Sequence, residues 1–154
     1  MVSRKTIDEF LSGKRIAMVG VSRNEKDFSR MLYRDLEKFG YEMIPVHAEA
    51  GEIEGKPCVR KLQEITPPVD GALLMTKPAV TDDVVKDCVQ ADVKRVWMYG
   101  AGGPGAVSKP AVEYCQANGI DVVPGECPYM FLQQAGWFHK FHGFLVKIAG
   151  KYPQ

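Results

Sequence analysis

The chain of 154 residues is long enough for one domain with a substantial core, and 45% apolar with 25% charged residues is an ordinary globular balance. Net charge is +1, from 20 basic against 19 acidic residues, and no basic stripe builds up, which excludes a generic nucleic-acid surface. The longest apolar runs, such as GALLM, fall far below the roughly 20 residues that span a bilayer, and the opening MVSRKTIDEFLSGKR has no signal-peptide hydrophobic region. A soluble, cytoplasmic protein with no membrane partner is expected. Cys58, Cys88, Cys115 and Cys127 show no C-x-x-C spacing, so reduced thiols are expected rather than a zinc or thioredoxin-like site.

Along the chain, Thr6 and Glu9 stand at capping-box spacing before Phe10-Leu11 and predict a brief helix ended at Gly13. Arg15 to Gly20 reads as a buried strand. Phe28, Met31, Leu32, Leu36 and Phe39 then recur at helical steps, with Gly40 just past the helix. YEMIPV is a second strand. Between Gly51 and Ile65 a short strand or loop around Pro57 to Val59 is expected, with a helical turn near Leu62. GALLM is a strand, and Val80, Val84, Val85, Cys88 and Val89 make a helical face. VKRVWMY, a helical face of Val107, Ala111, Val112 and Cys115, and GIDVVP complete the alternation. From Gly136 onward Phe138, Phe141, Leu145 and Ile148 predict a final helix over about 136–150, widened by Trp137 and Phe144. Strands alternating with amphipathic helices specify an α/β fold, a mostly parallel five- or six-stranded sheet with helices on both faces, within a single domain.

In such sheets ligands bind beyond the carboxyl ends of the strands, where strand order reverses. The segment VGVSRNEKDFS follows the first strand there. A helix beginning near Asp27 or Phe28 would offer unpaired N–H groups and a positive dipole end to a phosphate. Ser22 and Ser29 add hydroxyls, and Arg23, Lys26 and Arg30 add positive charge. A solvated loop with idle charges is the competing reading. NAD fits poorly, because no second or third fingerprint glycine follows Gly20, and the second strand ends in Val46, His47 and Ala48 where a ribose-binding acid is needed.

VGVSRNEKDFS, YEMIPVH, GALLMTKPA, VWMYGAGG and VVPGECPYMF occur in the same order as in stand-alone coenzyme A-binding proteins. Over about Arg15 to Met130 the chain resembles that family, and with it the amino-terminal domain of the succinyl-CoA synthetase alpha chain and of NDP-forming acyl-CoA synthetases. The resemblance implies a Rossmann-like domain holding coenzyme A or an acyl-CoA at the carboxyl edge of the sheet. It implies that Gly20, Val21, Ser22 and Arg23 approach the phosphates, with Phe28 and Ser29 starting the helix beneath. Val46 and His47 would line the nucleotide end, Thr76, Lys77 and Pro78 would form the next turn, and Met98, Tyr99, Gly100, Glu126, Cys127 and Pro128 would border the pantetheine path. Many relatives have Asn-Pro-Lys after the second strand. Here HAE stands there, and Glu49 would repel a phosphate unless Arg23, Lys26, Arg30 or Lys77 compensates.

No nucleophile-base-orienter set is evident, and the chain is expected to lack the phosphohistidine-bearing second domain of the synthetases. His139 and His142 are three apart, without the carboxylate spacing of a metal site. Cys127 could meet the CoA sulfur in a mixed disulfide, against burial as a small apolar residue. YGAGGPGA is read as a close-approach turn rather than a second phosphate site. The leading expectation is a non-catalytic CoA sensor, carrier or accessory module. The alternatives are an NAD(P)- or other nucleotide-binding regulatory domain, and an interaction module dimerising, or meeting a partner protein, through the C-terminal aromatic helix.

Overall fold

The computed structural model of the chain describes residues 2–49 and 51–132. The helix expected over 136–150, with its aromatic face and both its histidines, lies outside the described residues.

The leading helix, α1 (Arg4–Leu11), starts three residues earlier than its sequence pattern suggests. Ser3 is the N-cap, its hydroxyl accepting the Thr6 N–H at 3.2 Å, and the helix buries Ile7 and Phe10. Five strands follow in one parallel sheet: β1 (Arg15–Val19), β2 (Glu42–Val46), β5 (Gly71–Leu74), β6 (Arg95–Tyr99) and β7 (Asp121–Glu126), ordered β2-β1-β5-β6-β7. Helices α2 (Phe28–Lys38), α3 (Pro78–Gln90) and α4 (Lys109–Ala117) connect them. The fold is α/β and Rossmann-like.

The period of two along each strand divides the interior into two layers. Ile16, Met18, Leu73 and Trp97 face α1 and α2, where Phe10, Leu32, Tyr33 and Leu36 meet them. Ala17, Val19, Ala72, Leu74, Val96 and Met98 face the other way, onto Val85, Cys88, Ala111 and Cys115 of α3 and α4. Both sheet faces are covered, so the strands read as unbroken apolar runs.

Two helical faces differ in phase from the sequence expectation. In α2 the buried residues are Ser29, Arg30, Leu32, Tyr33 and Leu36, while Met31 is 40% exposed. Tyr33 displaces it because the phenol hydroxyl reaches the Met43 carbonyl at 3.2 Å, allowing the ring to be buried. In α3 the buried residues are Thr81, Val85 and Cys88, and Val80 is 48% exposed.

Between β2 and β5 the chain makes a small antiparallel hairpin, β3 (Glu52–Ile53) with β4 (Lys56–Pro57), and a 3-10 turn at Leu62–Glu64. Val59 forms a parallel bridge to Val46, with the His47 N–H donating to the Val59 carbonyl at 2.9 Å and the Val59 N–H to the Pro45 carbonyl at 3.0 Å. The hairpin's exit is thereby fixed beside the carboxyl end of β2. Among the described residues no helix is long and apolar enough to cross a membrane.

Candidate functional site

The chain leaves β1 toward β2 on one side and later returns to β5 on the other, so strand order reverses between β1 and β5. Two clefts open at the carboxyl edge there, and both are lined by Gly20 and Thr76. The first, about 420 Å³, lies between the β1–α2 turn (Gly20, Ser22, Asp27, Phe28, Ser29), the β5–α3 turn (Met75, Thr76, Lys77), Tyr99 and the glycine-rich loop at Gly105 and Ala106. The second, about 340 Å³, has apolar walls of Val19, Val46, Leu62, Val80 and Val84, with His47, Ala48, Arg60, Lys61 and Asp87. Exposed Val80 thus belongs to a cleft wall.

Gly20 explains why one glycine suffices in the first turn. Its φ is +87°, and a Cβ there would stand 2.9 Å from the Met75 carbonyl oxygen and 3.1 Å from Thr76 Cγ2. The residue lets two turns approach each other across the switch point, a steric demand confined to this position. On the opposite wall a Cβ on Gly105, at φ +53°, would lie 2.2 Å from the Tyr99 carbonyl oxygen. The glycine-rich loop is therefore a close-approach turn, as its sequence suggests.

The start of α2 is more closed than expected. Asp27 is its N-cap: one carboxylate oxygen accepts both the N–H and the hydroxyl of Ser29 at 2.9 Å, and Ser29 Oγ in turn accepts the Ser22 N–H at 2.9 Å. An anionic side chain already occupies the positive end of the helix. Positive charge for a ligand at this edge comes instead from side chains. Among the described residues Lys26, Arg60, Lys61 and Lys77 are exposed cations with no ion pair or side-chain hydrogen bond. Arg23 is mostly exposed and lies 3.9 Å from Glu49, so the carboxylate expected to repel a phosphate has a guanidinium beside it.

Arg30 departs from its expected role as a phosphate cation. It is only 6% exposed and binds Glu54, while Nη1 donates to the carbonyls of Ser22 and Arg23 at 3.2 and 3.3 Å. Arg30 is a strut beneath the turn. The signal for this was faint in sequence, because Glu54 lies 24 residues further on in a hairpin.

The remaining expected residues divide between cleft wall and core. Phe28 and Tyr99 line the first cleft, their rings 5.3 Å apart, and Phe28 packs edge-on against Tyr129 at 6.0 Å. Pro78 opens α3. The Val21 and Met98 side chains are fully buried in the core, and Cys127 and Pro128 are buried too. Burial pushes the Cys127 thiol up, which opposes thiolate chemistry there. Gly100 donates its N–H to the Glu126 carbonyl at 3.3 Å, and Trp97 Nε1 donates to the same oxygen at 2.8 Å. The Glu126 carboxyl is raised by burial.

Behind the first cleft, buried Thr81 links its two walls. Its hydroxyl donates to the Ala106 carbonyl at 2.8 Å and pairs with Thr76 Oγ1 at 2.7 Å, while the Ser108 hydroxyl donates to Asp82. Neither this link nor the placement of Met75, Arg60 and Lys61 at the clefts was drawn from the sequence.

The profile of the CoA binding domain family matches residues 14–133, which takes in every strand of the sheet and both clefts. The chain belongs to the CoA binding domain family. It is 29% identical over 126 residues to the uncharacterized protein YneT of Bacillus subtilis, covering 81% of this chain and 90% of that one. It is 25% identical over 97 residues, or 62% of its length, to the alpha subunit of the ADP-forming acetate–CoA ligase II of Pyrococcus furiosus, spanning 21% of that subunit. A hypothetical protein from Pyrococcus horikoshii has the same fold, with a TM-score of 0.75 at 21% identity over 83% of this chain and 87% of that one. In this CoA binding domain the fifth-strand turn and the first-strand turn meet at Gly20, and both clefts depend on that meeting.

Proposed function

We propose that the chain binds coenzyme A or an acyl-CoA along the carboxyl edge of the sheet and acts as a non-catalytic sensor, carrier or accessory module. The observation that carries this is the pair of clefts joined at Gly20 and Thr76, one apolar-walled and one lined by hydroxyls, a lysine and two aromatic rings. Coenzyme A combines a flat adenine, a diphosphate and a long, partly apolar pantetheine arm. The adenosine fits between Val46, Val80 and Val84, the diphosphate crosses Gly20 near Ser22, Lys26 and Lys77, and the arm follows Phe28 and Tyr99. Nothing in this path needs a ribose-binding acid.

The non-catalytic reading rests on the thiols and the metal-ligand types. Burial raises Cys58, Cys88, Cys115 and Cys127 above the ordinary thiol range, and among the described residues no group of three His, Cys, Asp or Glu could hold a metal. Calorimetric titration with CoA, acetyl-CoA, NAD and ATP tests the proposal. Saturable binding of CoA or acetyl-CoA in preference to NAD is expected. Binding of NAD with none of CoA at high micromolar concentration overturns it.

A further inference from the structure

The turn after β2, His47, Ala48 and Glu49, carries no lysine or arginine of its own, and the guanidinium beside it, Arg23, lies 3.9 Å from the Glu49 carboxylate, yet two unpaired cations reach this edge from elsewhere in the chain. Arg60 and Lys61 line the apolar-walled cleft, and neither side chain has an ion pair or hydrogen bond among the described residues. Their backbone is not a free loop. Val59, directly before them, is bridged to Val46 and held by two hydrogen bonds to the end of β2, and Leu62, directly after them, is buried. The one carboxylate in that cleft, Asp87, accepts Gln63 Nε2 at 2.8 Å.

We propose that Arg60 and Lys61 form an anion subsite for the 3′-phosphate of coenzyme A, replacing the cation absent from the turn after β2. This rests on the CoA reading above and adds to it which phosphate is recognised and by what. The two cations line only the cleft that suits the adenosine, whereas Lys77 lines only the cleft beyond Gly20. Adenosine between Val46, Val80 and Val84 places its ribose phosphate toward Arg60 and Lys61, and its diphosphate toward Gly20. Arginine and lysine are suited to a phosphate dianion through charge-assisted hydrogen bonds. The resulting specificity is for 3′-phosphorylated over 3′-dephosphorylated nucleotides.

The test is calorimetric binding of CoA and of 3′-dephospho-CoA to the full chain and to the Arg60→Ala/Lys61→Ala double variant. Both residues are exposed, and unchanged thermal unfolding of the variant checks that the fold is kept. The expected result is about tenfold tighter binding of CoA than of dephospho-CoA by the parent chain, and equal binding of the two by the variant. Equal binding of both ligands by the parent overturns this subsite while leaving the CoA reading intact. Discrimination that persists in the variant also overturns it, assigning the phosphate to other cations such as Arg23 or Lys26. Failure of the parent to bind either ligand overturns both proposals.

Discussion

Arg30 holds Glu54 through two hydrogen bonds to a single carboxylate oxygen, from Nε at 2.9 Å and from Nη2 at 2.7 Å. Arg34 Nη1 adds a third at 2.9 Å. Glu54 sits in the β3–β4 turn at φ +50°, a conformation that side-chain-bearing residues adopt at some cost. The carboxylate thus ties the hairpin to α2, while Nη1 of the Arg30 guanidinium binds the Ser22 and Arg23 carbonyls of the β1–α2 turn. A structural ion pair and the candidate site share one arginine.

Replacing Glu54 with Gln keeps the size and removes the charge. Arg30 is left as a buried cation with only carbonyl partners, so E54Q is expected to lower stability by about 2–3 kcal/mol near neutral pH in urea unfolding. The pH dependence has a definite sign. Burial by itself would raise the Glu54 carboxyl, but the hydrogen bonds and charges of Arg30 and Arg34 outweigh it and hold the group below its ordinary value. The stabilisation is therefore complete above the unfolded-state value and disappears as pH falls through the lowered folded-state value. The gap between parent and E54Q should close in acid. Some acid sensitivity should persist in E54Q, because Asp70 is also lowered by the backbone N–H groups of Arg15 and Lys14. A gap independent of pH would show that the ion pair is not its source.

The five strands were legible because both faces of each are covered, leaving apolar runs without alternation. The buried face of α2 was displaced at Met31 because burial of Arg30 and Tyr33 depends on partners at Glu54 and Met43, remote in sequence. In the site, Gly20 could be read as a turn residue from its place after β1. The reason for it could not, since it lies in Met75 and Thr76 on another turn. Arg60 and Lys61 are two cations in a stretch with no strong periodicity. Only the Val46–Val59 bridge brings them to the cleft.

Thiol reactivity follows from the same burial. Cys88, Cys115 and Cys127 are buried and Cys58 is only partly so. Desolvation raises all four, Cys115 to about 11, and at Cys58 it prevails over the nearby Arg30 charge. Native protein treated with iodoacetamide at mildly alkaline pH should therefore label slowly, with Cys58 first, and denaturant should make the four rates similar. Peptide mass spectrometry reads the order. Rapid labelling of Cys127 in the native protein would contradict its placement in the core.

Thr81 is where the two walls of the first cleft are joined, and its hydroxyl has a single proton to give. With that proton on the Ala106 carbonyl at 2.8 Å, Thr76 Oγ1 must be the donor in the 2.7 Å pair. The Lys77 carbonyl, at 3.2 Å, is a second acceptor for the same proton. Thr81→Val keeps the shape and deletes the hydroxyl, leaving the buried Ala106 carbonyl without this donor. A loss of about 1–3 kcal/mol is expected, with T81S retaining most of the stability. The glycine-rich loop would be held less firmly against α3, so amide exchange at Ala106 and Val107 should quicken in T81V by more than in α1, on the far side of the sheet. An even increase across the sheet and both helical layers would instead mean that Thr81 supports the domain as a whole and not the cleft.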